Sequence, residues 1–296
     1  MKLTHRRNFL KTTSLALAGT AIAAHKMPFL AGSFPATHLG LQLWSVQDAM
    51  KIDAATTIIS LGQMGYREVE GFGYKEGKMF NVPIADYGKM LKDNGMSTPS
   101  CHHPISLDDW DTGSKSLKDN VKKAIDEMAA IGQRYVVVPS MREEDQQRIA
   151  EMIPVFNAAG EYCHKAGMRF VYHNHAVEYE KRGADGRLLI EWLLHETDPK
   201  LVTMQMDMYW VAFAKNNPID WFKLYPGRWE LCHVKDMAAT EKRETIEVGD
   251  GIIDFASIFK LSATAGLKYY IIELEHYRTT SMDGVKKARA GFLKIR

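Results

Sequence analysis

Asp207 lies in the run Leu201-Val-Thr-Met-Gln-Met-Asp-Met-Tyr-Trp210, an apolar strand pattern that closes on this carboxylate with aromatics behind it. An acid so placed inside a fold has to be paired, hydrogen-bonded or bound to a cation. Three other stretches repeat the pattern: Arg169-Phe-Val-Tyr-His-Asn-His175, Leu231-Cys-His-Val-Lys-Asp236 and Tyr269-Tyr-Ile-Ile-Glu-Leu-Glu275. Side chains two apart on a strand share a face, which pairs His173 with His175, Gln205 with Asp207, His233 with Lys235, and Glu273 with Glu275. If these faces converge, four strands supply N and O ligands around one point: His173 or His175, Asp207, His233, and Glu273 or Glu275. Two imidazoles with two carboxylates suit one divalent metal ion of the Mn, Co, Zn, Fe or Mg kind better than Ca. The lack of thiolate among them argues against a structural zinc site. A single strand-end His or acid is ordinarily a satisfied polar residue or a helix cap; the weight lies on four successive strands carrying such groups.

Convergence requires a frame. Residues 39–45, 66–70, 97–103, 135–139, 170–175, 204–207, 231–234 and 269–273 read as eight strands, most of them continuously apolar as parallel strands buried on both faces are. Helices fit between them at about 48–64, 85–94, 117–131, 144–166, 188–195, 219–224 and 255–265, three of them closed by Gly95, Gly132 and Gly167. Eight β/α units in roughly 260 residues match an α/β fold with a single (β/α)8 TIM barrel, whose strand ends share one rim. A doubly wound open sheet competes, but no G-x-G-x-x-G follows the first strand.

With these residues in place, the chain resembles the sugar phosphate isomerase/epimerase family of xylose isomerase-like TIM barrels, which also contains endonuclease IV. The marks are Gly40-Leu-Gln-Leu-Trp-Ser-Val46, Gly65-Tyr-Arg-Glu-Val-Glu70, Tyr172-His-Asn-His175, Met206-Asp-Met-Tyr-Trp210, His233-Val-Lys-Asp236 and Ile272-Glu-Leu-Glu275. The resemblance implies one metal ion at the barrel mouth, with ligands Asp207, His233 and Glu273, and His173 where the sugar 3-epimerases carry a Glu; His175 remains an alternative. It also maps the family's strand-three His onto His102 and places Gln42, Glu70, His102 and His175 among substrate contacts. Trp44, Tyr209, Trp210 and Tyr277 offer aromatic faces for a pyranose or fill the mouth. The implied activity is proton abstraction next to a sugar carbonyl, as in an isomerase or epimerase, on a non-phosphorylated saccharide. Loss of one metal-bound carboxylate at position 173 opens a second reading, lyase/hydratase chemistry on a 3-keto-glycoside. Lys235, Glu275 and Glu178 are the candidate acid/base groups. A third reading is an exported sugar-binding protein without turnover. The nuclease branch lacks its ligands here, with Trp210 three positions after Asp207 and Pro139 at the end of strand four.

Thr4-His-Arg6-Arg7-Asn-Phe9-Leu10-Lys11, the uncharged run that follows and the small residues Ala21-Ile-Ala23 read as a twin-arginine signal peptide over 1–24, with a linker or arm over 25–37 and the barrel over 38–296. That predicts a periplasmic location. Cleavage after Ala23 would leave 34 Lys and Arg against 36 Asp and Glu, a formal charge of −2, and no basic stripe for nucleic acid. The uncharged run is too short for a membrane span, so no stable membrane association is expected after export. The expected partner is a small-molecule carbohydrate, and the chain is a candidate homo-oligomer. Cys101, Cys163 and Cys232 lack disulfide or metal spacing and read as buried apolar residues. Gly249-Asp-Gly251 reads as a turn before a helix rather than a phosphate cradle.

Overall fold

The computed structural model describes residues 39 to 295; the expected signal peptide and linker lie outside them. Eight parallel strands close into a barrel: β1 (Leu39–Gln42), β2 (Glu68–Phe72), β3 (Ser97–His102), β4 (Tyr135–Val138), β5 (Arg169–His173), β6 (Val202–Asp207), β7 (Trp229–Val234) and β8 (Tyr269–Ile272). Each pairs with its neighbours in chain order, and β8 closes on β1 through Leu39 opposite Tyr270 and Leu41 opposite Ile272.

The period-two alternation along the strands sorts side chains into two layers. Tyr135, Val137, Val171, Leu231, Tyr269 and Ile271 form a separate apolar cluster, the filling of the barrel interior. Their neighbours Val136, Val138, Phe170, Tyr172, Cys232, Val234, Tyr270 and Ile272 belong to the larger core between sheet and helices. Two residues further along the inward rows come His173 after Val171, His233 after Leu231 and Glu273 after Ile271. The interior is therefore apolar below and polar at the C-terminal rim. Beneath it, Glu230 accepts from Tyr135 Oη at 2.9 Å and pairs with Arg169 at 2.5 Å and Lys268 at 2.9 Å, at the opposite end.

The pairing register shifts at two places, between Glu68 and Glu70 on β2 and between Met204 and Gln205 on β6. Such irregularities re-aim side chains near sites; here they precede two polar residues that meet across the interior.

Several elements differ from the sequence expectation. The helix expected over 48–64 is two, Gln47–Ile52 and Ala54–Gln63, because Asp53 is extended and its Oδ1 accepts from Thr56 N at 3.0 Å, capping the second. The helix expected over 144–166 is likewise divided into Glu143–Gln146 and Ile149–Lys165, and that over 255–265 into Phe255–Phe259 and Ser262–Ala265. Helices Met208–Phe213 and Ser281–Phe292 were not anticipated. Strands β5 and β8 stop at His173 and Ile272, so His175 and Glu275 stand on the loops that follow. The three cysteines are buried and free.

Candidate active site at the barrel rim

The floor of the rim is built on Glu70, which has no exposed surface. Its Oε1 accepts from Gln42 Nε2 at 2.8 Å and His233 Nε2 at 2.6 Å, and its Oε2 from Ser100 Oγ at 2.7 Å and Gln205 Nε2 at 2.9 Å. His102 Nε2 lies 3.0 Å from Oε1. Burial alone would push this carboxyl up; His102 and His233 reverse that and hold it well below the usual carboxylate range. Gln205 Oε1 in turn faces His173 Nδ1 at 2.9 Å and His102 Nε2 at 3.1 Å. Glu70 and Gln205 therefore orient all three imidazoles. With Nε2–H of His233 directed at Glu70, its Nδ1 faces the other way.

On that side Asp207, His233 and Glu273 bring one ligand atom each within 4.8 Å of one another. His233 Nδ1 is 3.0 Å from Glu273 Oε2 and 3.8 Å from Asp207 Oδ2. Asp207 Oδ1 accepts from Trp210 N at 3.0 Å, whereas Oδ2 is buried with no hydrogen-bond partner. A buried carboxylate oxygen without a hydrogen bond is costly, and a divalent ion would satisfy it. The donor set, one imidazole and two carboxylates, suits such an ion. A second close trio, His102, His173 and His233, does not, because its facing nitrogens already engage Glu70 and Gln205. His173, the expected fourth ligand, lines the same cavity as Glu273 but is not part of the close carboxylate trio. Burial, then His233, holds its imidazole well below the usual range, leaving it neutral.

Lys235 is fully buried beside this trio. Its Nζ donates to Glu275 Oε1 at 2.6 Å and Glu273 Oε2 at 3.0 Å, and lies 3.6 Å from Asp207 Oδ2. The rings of Trp210 and Tyr209 stand over it at 5.2 and 5.5 Å. Burial opposes its charge, but Glu273, Asp207 and Glu275 outweigh burial and raise its pKa.

Above the floor opens a cavity of about 550 Å³, within the size range of small-molecule sites. His102, His173 and His175 form one part of its wall, Glu273 and Glu275 another, and Trp44, Phe72 and Trp210 its aromatic edges. Trp44 is 44% exposed at the rim, free to meet a ligand face. Its carboxylates come from the segment after β8 alone, and no Lys or Arg lines it among the described residues.

The sequence expectation is corrected at six positions. Gln42 and Glu70 are sealed beneath the cavity, where Glu70 positions histidines and Gln42 holds Glu70, so neither touches substrate. Tyr209 is 4% exposed, with its hydroxyl donating to Arg243 O at 2.8 Å, and supports Lys235 from outside the cavity. Lys235 itself does not reach the cavity wall, which makes it a positioning residue. Glu178 is buried in the turn Val177–Tyr179, where it accepts from Tyr172 Oη at 2.6 Å, Ser140 Oγ at 3.1 Å and His175 N at 2.7 Å. Burial pushes its pKa up, and it braces Ser140, held at φ 127°, and His175 instead of meeting substrate. Tyr277, 39% exposed, is not among the cavity-lining residues. Gln205 and Ser100 join the site without having been expected there, although Gln205 shares the inward parity of Asp207 on an otherwise apolar strand. Gly249 and Gly251 form a turn around Asp236, whose Oδ2 accepts both their N–H groups at 2.9 and 3.1 Å.

Two outcomes follow from this geometry. Glu70→Gln is expected to weaken divalent-ion binding about 10- to 100-fold, the usual effect of losing the partner that orients a ligating imidazole, measured by titration with Mn²⁺. Protons compete with an ion for the same lone pairs. Burial, only partly offset by Lys235 and His233, pushes Asp207 up to about 6. Burial lowers His233, but Glu273 and Glu70 raise it to about 10. Ion binding therefore displaces a proton from His233 across neutral pH and from Asp207 as well in acid. Affinity is expected to rise about tenfold per pH unit between roughly pH 6 and 8, checked by the ion-induced gain in Tm at each pH.

A sequence model of the family described as xylose isomerase-like TIM barrel matches residues 61–295. A solved structure of a sugar phosphate isomerase/epimerase from Parabacteroides distasonis is 29% identical, covers 88% of this chain and 94% of its own, and superposes with a TM-score of 0.71. The IOLI protein with a bound zinc atom, 12% identical, covers 87% of this chain and 97% of its own with a TM-score of 0.66, a likeness of fold. Among curated proteins, an inosose dehydratase of Bacillus cereus is 25% identical over 158 residues, 46% of this chain and 49% of that protein. The chain thus spans about half the length of the first such relatives it matches.

Proposed function

This chain belongs to the xylose isomerase-like TIM-barrel family, and from that premise we propose that it is an enzyme of carbohydrates that removes the proton next to a sugar or cyclitol carbonyl and expels a β-substituent. The observation that carries this reading is that the cavity's carboxylates among the described residues, Glu273 and Glu275, both come from the segment after β8, while the segment at the end of β5 contributes the neutral histidines His173 and His175. Epimerisation by two carboxylates flanking one carbon needs a second acid where His173 stands. Elimination needs one base and a departing group. The inosose dehydratases among the relatives support the same reaction class. Isomerisation of a free sugar, the second reading, draws support from the sugar phosphate isomerase/epimerase likeness.

Asp207, His233 and Glu273 would hold a divalent ion, with His173 beside them. Bound there, the ion would polarise the carbonyl and acidify the neighbouring C–H. The chain's own residues do the rest. Glu275, whose side chain is 30% exposed, reaches the cavity while Lys235 Nζ pins its Oε1. It takes the proton and returns it to the departing oxygen on the same face. Lys235, between Glu273 and Glu275, keeps the two carboxylates at a fixed separation. His175, held down at about 4 by burial and then Lys235, stands as a neutral hydrogen-bond partner for a sugar hydroxyl. Trp44 and Trp210 offer stacking faces. Two carboxylates and no Lys or Arg line the cavity among the described residues, which favours a reacting ring without phosphate.

The test is an assay of the Mn²⁺-loaded protein with 3-keto-glucosides and a keto-inositol against free ketoses. Release of aglycone, or loss of water with a rise in ultraviolet absorbance, is expected. Ketose interconversion without release would overturn elimination in favour of isomerisation. The exported location carries over as part of this proposal and is tested by fractionating cells that express the full chain.

A further inference from the structure

The cavity does not end at Trp44. Its outer wall, Phe72 and Gly73, is shared with a second cavity of about 390 Å³ formed by the turn after β2. Lys51, Lys75 and Lys78 line this second space against a single acid, Glu76. All three lysines are exposed, and none is in an ion pair among the described residues. Lys51 Nζ donates to the neutral Gln47 Oε1 at 2.7 Å. The floor is aromatic: Trp44 meets Phe72 edge-on at 5.1 Å, and Phe72 meets Phe80 edge-on at 5.0 Å. Gly73, at φ 74° and exposed, lines both cavities and has no atom within 4 Å of where a Cβ would stand, so no side chain stands between them at that position. Glu76, Phe80 and Asn81 hold left-handed backbone at φ 48°, 51° and 64°. A turn kept in that form at three non-glycine positions is over-determined by its surroundings.

The charges are arranged along the length of the combined space. Glu273 and Glu275 line the inner cavity, and the ammonium groups border the outer one. An elongated ligand with an anionic end meets repulsion in one direction and attraction in the other. We propose that the two cavities form one extended site, in which the aromatic floor and Lys51, Lys75 and Lys78 receive a carboxylate-bearing aromatic aglycone joined to the sugar in the inner cavity. This rests on the reading that a sugar occupies the inner cavity. It adds which glycosides the protein selects, and in which direction they lie.

The experiment compares 4-carboxyphenyl β-D-glucoside with its neutral 4-carboxamidophenyl analogue by calorimetry, on wild-type protein and on a Lys75→Ala/Lys78→Ala variant. In low salt the carboxylate is expected to bind about tenfold more tightly, an advantage that shrinks in about 0.5 M NaCl. The variant is expected to lose that advantage with the carboxamide's affinity unchanged. Equal affinities in wild type, or equal weakening of both ligands in the variant, would overturn the proposal. So would glucose 6-phosphate competing as well as the carboxylated glycoside, since the lysines would then hold a phosphate of the reacting ring. A separate arm titrates 4-hydroxybenzoate into protein with ¹³C-dimethylated lysines. Shifts at Lys75 and Lys78 with neither glucoside bound would uphold the cationic subsite and reject the sugar reading, and unmoved signals would reject the subsite.

Discussion

Asp207→Asn is expected to give a folded protein that holds less than about a tenth of an equivalent of divalent ion and turns over roughly 10³-fold more slowly, because a bound ion supplies several kcal/mol of charge stabilisation to the reacting carbonyl. Asn is preferred to Ala because Oδ1 of Asp207 also accepts from Trp210 N at the start of helix Met208–Phe213. Losing that cap costs about 1 kcal/mol; the carboxamide keeps it and removes the charge. Stability then separates a lost ion from a damaged fold. Asp207 Oδ2 is buried without a hydrogen bond, and the cost of its burial outweighs the attraction of Lys235 at 3.6 Å and His233 at 3.8 Å, so in metal-free protein the substitution removes a poorly compensated buried charge. The metal-free variant is expected to melt at or above metal-free wild type, while the loaded wild type melts above both. Elemental analysis and thermal denaturation, each with chelator and with added Mn²⁺, read these three levels. Normal ion content with full turnover would remove Asp207 from the centre.

Glu275→Gln is expected to do the opposite with the ion, retaining it while kcat falls about 10²- to 10⁴-fold, the range for loss of a general acid/base group. Glu275 lies outside the close trio, lines the cavity, and has a side chain that is 30% exposed. A carboxamide oxygen still accepts from Lys235 Nζ, so the packing of that buried ammonium is preserved. What the amide cannot do is take a proton. KM is expected to change less than about threefold, since the group acts in the transition state more than in binding. Steady-state kinetics on metal-replete variant, with ion content measured on the same sample, check the split. An unchanged kcat would move the base to another cavity group, with His175 the next in reach.

The two substitutions also show how far the sequence reaches. Asp207, His233 and Glu273 were legible because a closed barrel preserves strand parity: Leu231 inward forces His233 inward, and Ile271 forces the same direction on Glu273. Parity fails where strands stop. His175 and Glu275 face the cavity through loop conformations that no alternation rule governs. Depth is also invisible in one dimension. Glu70 resembles Asp207 as an acid on a strand, yet five donors from other strands seal it beneath the site. Lys235 was legible as a neighbour of His233 but not as a covered one, since Tyr209 and Trp210 come over it from the helix Met208–Phe213 that follows β6. Glu178 was misplaced because the short turn at Val177–Tyr179 folds it back under His175.

The partners of Glu70 carry a consequence for how the barrel assembles. Gln42 and Ser100 lie 28 and 30 residues away, whereas Gln205 and His233 lie 135 and 163 residues away. A chain folded only through β4 would shelter this carboxylate with donors from β1 and β3 and none from the far side. Two of its five donors, Gln205 and His233, would be missing in a partly dehydrated setting, where an unmet charge is most costly. The far donors arrive only when the chain closes long loops. The same residue that steadies the imidazoles thus penalises a half-barrel and rewards the complete one, tying the first four β/α units to the last four in a single folding transition.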